Sequence, residues 1–208
     1  MRAKKFLLLF FLAATLLPGC ITSLHALYTD KDLIYDKRLE GVWKTEKTGE
    51  TWKLQNLMEK ELELYKDSAE RREKEILKSI TINRKTYLLT YTENGQSADF
   101  TANLVTLGGN LYLDIFPGSL NLKNSFLEDH FLPVHTYAKV VVSGAKVELY
   151  FFNAERLYKL MDENRIRLKH ESFEYYKVIT ASTEELQQFV IKFGDKKDFF
   201  ETALVLKK

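Results

Sequence analysis

Cys20 is the single thiol of the chain, and it stands directly behind Leu17-Pro18-Gly19 at the end of an apolar run. A lone thiol forms no internal disulfide, so its chemistry is attachment and the fold must be held by packing. His130 and His135 raise metal ligation, but on an extended chain residues five apart point to opposite faces, and Pro133 interrupts the segment. They do not make a ligand pair. Asp30, Asp32 and Asp36 lack the glycine and closing glutamate of a calcium loop and read as a solvated acidic stretch. No G-x-S-x-G nucleophile turn is present, and Gly108-Gly109 lies between strands and opens no helix that would cradle a phosphate. These residues name no catalytic group, metal or cofactor, and a non-enzymatic role is expected.

The feature most suggestive of binding is the segment Pro117 to Asp129, which joins two strands and holds Leu120, Leu122, Phe126 and Leu127. Loops of this length in compact domains are often lids or binding loops, and these four side chains are the candidate lining for a small apolar ligand. The plain alternative is that they tuck onto the core. The 14 Phe and 11 Tyr would equally line a cavity or fill one.

Charge narrows the partner classes. The formal net charge is +2, but Arg2, Lys4 and Lys5 precede the apolar run; without them 28 basic residues face 29 acidic ones. So neutral a balance argues against nucleic acid, which demands a basic excess on one face.

Met1 to Lys5 is short and positive, and Phe6 to Leu17 is apolar throughout except at Thr15, the two parts of a secretory leader. As a helix the run reaches only about 18 Å, short of the ~30 Å hydrocarbon core, so it starts export without making a comfortable span. The box Leu17-Pro18-Gly19-Cys20 resembles the cleavage site of bacterial lipoproteins. That resemblance implies removal of residues 1–19, a diacylglyceryl thioether on Cys20, and a further acyl chain on the new N-terminus. Each buried acyl CH₂ contributes about 0.8 kcal/mol, so two or more chains hold firmly where one is marginal. The resemblance places the protein in the cell envelope. Ile21 stands where an aspartate often retains such proteins at the inner membrane, which favours the outer membrane if the cell is Gram-negative.

Whatever Cys20 carries must be joined to a folded body. Ile21 to Leu39 reads as a tether that runs onto the domain surface, and residues 40–208 as one domain. Within it, Thr48-Gly49, Asn94-Gly95, Gly108-Gly109 and Ser143-Gly144 each separate two alternating runs, the signature of two-residue hairpin turns. Val147, Leu149 and Phe151 alternate with Lys146, Glu148 and Tyr150, and Ala138, Val140 and Val142 with Tyr137 and Lys139. Such alternation predicts one wet and one buried face. A helix is predicted from Ser182, with a Ser182/Glu185 capping box and Gly194 as its stop, and another from Asn153 through Leu157, Leu160 and Met161 to Asn164. The charged segment Glu59 to Glu75 carries a rough helical stripe and reads as a solvated helix.

Gly41-Val42-Trp43 at the head of the first strand resembles the G-x-W element of lipocalins, in which the tryptophan plugs the closed end of an eight-stranded barrel. The order of strands, then a helix at Ser182 to Phe193, then a last strand at Ala203 to Lys207, fits the same pattern. The family also stacks an arginine on that tryptophan; none follows Arg167, and Lys177 is the nearest candidate. Leu27 to Leu33, Leu132 to Thr136 and Thr180 to Leu186 further resemble a set of uncharacterised bacterial proteins. The expectation is a mainly β protein, an antiparallel up-and-down meander closing into a lipocalin-like barrel with two helices in its C-terminal half. Its expected role is to bind a small apolar ligand at the envelope surface, or, with a solid core, to meet an envelope protein partner.

Overall fold

In the computed structural model, residues 20–46, 48–60, 84–118, 125–128, 130–174 and 176–208 are described. The leader and nearly all of the charged Glu59 to Glu75 segment lie outside these residues, although the chain turns helical at 57–60.

The strands are β1 (Thr22–Ser23), β2 (Leu33–Ile34), β3 (Gly41–Thr45), β4 (Thr51–Asn56), β5 (Thr86–Glu93) and β6 (Gln96–Leu107), followed by β7 (Asn110–Pro117), β8 (His135–Ser143), β9 (Lys146–Phe151), β10 (His170–Ser172), β11 (Lys177–Ile179) and β12 (Leu204–Lys207). The helices are α1 (Ser125–Glu128), α2 (Ala154–Asp162) and α3 (Thr183–Phe193). Strands β3 to β9 form a seven-strand antiparallel meander, and β12 returns after the helices to pair with both β3 and β9. Since β8 also pairs with β9, the sheet closes into an eight-stranded antiparallel barrel with flanking helices, a lipocalin-like architecture. Closure removes the exposed edges that an open sheet leaves for aggregation.

Two of the four turns follow the predicted spacing, at Asn94-Gly95 and Gly108-Gly109, whereas around Thr48-Gly49 the strands are last joined at Thr45 and Glu50, a longer connection than two residues. Asn94 and Gly95 take φ of 51° and 76°, so Glu93 pairs with Gln96 across a two-residue connection that matches the strand twist. The last hairpin turns at Gly144-Ala145, one residue later than the spacing suggested. Asn153 caps α2, and Ser182 and Glu185 form the reciprocal box that starts α3.

The interior face carries Trp43, Leu89, Ala102, Leu104, Leu113, Ala138, Leu149 and Leu206, each at most 2 % exposed. The outer face departs from the expected wet surface. Val105, Leu107, Tyr112 and Tyr137 point outward from β6, β7 and β8 and are buried in a second core with α2, α3 and residues 21–28. A second apolar layer needs the alternation to be apolar on both faces, and Tyr112 and Tyr137 supply it, the latter from the face expected to be wet.

Residues 21–39 are no tether. Ile21, Leu27, Leu33 and Leu39 are buried, and the segment crosses the outside of the barrel as a strap. Strand β8 outruns β9, and β1 takes up its free edge; β6 outruns β5, and β2 takes up that edge. Between these two edges the strap passes over β7.

Candidate functional site

The strap is fastened where it crosses β7. Asp114, fully buried, accepts the Leu27 backbone N–H at 2.7 Å through one oxygen and holds His135 Nδ1 at 2.6 Å through the other. Burial raises the Asp114 pKa above the ordinary carboxylate range, and the His135 contact only partly opposes it. Around this pair, Tyr137 donates to the His25 carbonyl, Asn103 donates to the Tyr28 hydroxyl at 2.9 Å, and Thr86 donates to Asn103 at 2.8 Å. Burial and the Asp114 charge together push the Tyr28 hydroxyl up to about 12. From the helical layer, Gln187 donates to the Leu27 carbonyl and Thr183 to the Ala26 carbonyl. A carboxylate that orients an imidazole is the first half of a nucleophile-activating array, but among the described residues no hydroxyl or thiol is hydrogen-bonded to His135. The arrangement works as a clasp.

Directly upstream of the strap, Cys20 is exposed at the edge of a groove of about 510 Å³. Leu132 and Val134 line it from the segment before β8, Phe173 and Tyr176 from the β10–β11 hairpin, and Tyr158 from α2. The Phe173 and Tyr176 rings are stacked with centroids 4.8 Å apart. Both are half exposed, which is unusual for stacked aromatic rings in a folded domain.

On β3, Trp43 is fully buried and donates from Nε1 to the Leu39 carbonyl at 2.7 Å. The cation over its ring is Lys208, at 4.7 Å from the centroid, and not Lys177. Lys177 pairs with Asp162 at 3.0 Å and lies over Tyr158. Gly41, at φ 123°, leaves the room Lys208 needs: a Cβ there would lie 3.2 Å from Lys208 Cε.

The candidate binding loop is only partly described. Leu120 and Leu122 fall outside the described residues, as does the side chain of Leu127. Phe126 is 74 % exposed on α1 and packs on the His130 ring, which itself contacts the Phe126 carbonyl. His130 and His135 therefore sit in separate surroundings. Among the described residues no cluster of three metal-ligating side chains occurs, and no helix is long and apolar enough to cross a membrane.

Sequence reasoning missed Asp114, its tie to His135, and Lys208. Asp114 carried a signal, since an aspartate in Leu111-Tyr-Leu-Asp-Ile-Phe116 is a charge inside an otherwise unbroken apolar strand. Lys208 carried none. Comparison of the chain with family models, curated proteins and solved structures returned no match.

Proposed function

We propose that this chain is an envelope lipoprotein, exported by its leader and held at a membrane by acyl chains on Cys20, whose barrel works through its outer surface on a protein partner. The anchor rests on the Leu17-Pro18-Gly19-Cys20 box and on the exposure of that thiol beside an apolar groove. The surface role is supported by close packing among the inward side chains, eight of which, from Trp43 to Leu206, are at most 2 % exposed.

Replacing Cys20 by Ser tests the anchor. The variant should lose fatty-acid incorporation and leave the membrane fraction; equal membrane association of both forms overturns it. Native mass spectrometry of the full chain in detergent tests the surface role. The expected mass is that of the polypeptide and its covalent lipid alone, and a co-purifying apolar molecule rejects the filled-barrel reading.

One observation favours a second reading, that of a small-ligand binder. Trp52 stands on the interior face beside Tyr91, and its Nε1 is buried without an acceptor. An orphaned buried donor costs about 1–3 kcal/mol, which a bound molecule with an acceptor group would recover. Under this reading the ligand is apolar with one carbonyl or hydroxyl oxygen.

A further inference from the structure

Cys20 has no slack. Ile21, the next residue, is buried, and Thr22 and Ser23 are already fixed on both sides, by Val178 and Ile179 of β11 and by Thr136 and His135 of β8. A flexible linker spans about 5–6 Å times the square root of its residue number, so a lipid on Cys20 holds this body within one or two residues' reach of the bilayer. Only the face that carries Cys20 meets the headgroups at that distance.

That face is built for it. Leu132, Phe173 and Tyr176 line the groove at 61 %, 51 % and 53 % exposure, an apolar rim beside Cys20, whereas Val42, Phe126 and Ile191 are exposed apolar side chains outside that groove. Contiguous exposed apolar surface marks an interaction site. Aromatic rings with a polar edge, such as Tyr176, favour the membrane interface. No Lys or Arg lines the groove among the described residues, and Glu155 does, so attraction to anionic lipid is not the driving term.

We infer that the rim of Leu132, Phe173 and Tyr176 is a second, protein-borne membrane contact that seats in the headgroup region of a phospholipid bilayer and fixes the barrel's orientation, resting on the lipidation of Cys20 proposed above. The shared location decides the occupant. A protein partner seated there would have to displace the bilayer from the one face the anchor presses against it.

The experiment uses the full, lipidated chain in phosphatidylcholine vesicles, with one cysteine introduced by Phe173→Cys, by Leu132→Cys, or by Lys53→Cys as a control. Lys53 is exposed on β4, four strands around the barrel from β8 in either direction. A membrane-impermeant maleimide should label Phe173→Cys and Leu132→Cys about tenfold more slowly than Lys53→Cys, because interfacial side chains leave bulk water. Detergent should abolish the difference, and salt should not. Equal labelling of all three while the N-terminal peptide carries its acyl mass overturns the membrane seat and leaves the anchor standing. An unmodified Cys20 peptide overturns the anchor and the seat with it. Protection in native membranes that is lost in the vesicles assigns the face to a protein and also overturns the proposal.

Discussion

The ammonium of Lys208, the residue that follows β12, lies 4.7 Å from the centroid of the Trp43 ring on β3, so the two strands are joined by a cation over an indole as well as by backbone pairing. A cation–π contact contributes about 0.5–1 kcal/mol at exposed sites and about 2 kcal/mol where it is desolvated, and here the ring is buried while Lys208 is exposed. Lys208→Met, which keeps the stem and removes the charge, should destabilise by an amount in that range in urea titration, and Lys208→Arg should retain stability. No difference between the Met and wild-type forms would show that the stem alone matters.

Gly41 is bound to the same contact. At φ 123° a side chain is strained whatever the space, and here Lys208 Cε is also in the way. Gly41→Ala should cost about 1–3 kcal/mol. Removing the lysine in the double variant Gly41→Ala/Lys208→Ala should recover only the steric part, which a double-mutant cycle measures.

Asp114→Ala leaves the Leu27 N–H buried and unpaired and should cost about 1–3 kcal/mol, with faster amide exchange along residues 21–35. Asp114→Asn keeps an acceptor and should cost less. The pH dependence separates them further. Burial raises the Asp114 pKa, so the native state holds that proton more tightly than the unfolded chain. Its stabilising share is full below the unfolded carboxylate value and is lost as pH rises through the folded one. Stability of the wild type relative to Asp114→Asn should therefore grow as pH falls from neutral through this window; a decrease refutes the assignment.

Gly194, which follows α3, has Tyr112 in the space that a side chain would need. A Cβ would fall 2.0 Å from the Tyr112 hydroxyl and 2.5 Å from the Val190 carbonyl. Gly194→Ala should destabilise by about 1–3 kcal/mol or more, as overpacking does. Adding Tyr112→Phe should restore part of the loss in thermal melts, since the hydroxyl clash goes and the Val190 contact stays.

Local chemistry was legible in the chain. Asn94-Gly95 and Gly108-Gly109 set their hairpins because positive φ is a property of those residue types, and Ser182 with Glu185 began a helix because both groups lie within one turn. The barrel class followed from alternation along single strands, and the thiol behind Leu-Pro-Gly from adjacent residues. What only the tertiary structure decided was every pairing between residues far apart in sequence: Lys208 over Trp43, Asp114 holding Leu27 and His135, and the strap itself. Alternation reports that a face is apolar without saying what covers it. Tyr137 read as a wet-face residue, yet a second layer lies upon it, because burial depends on a neighbour that closure of the chain, and not its local order, brings there.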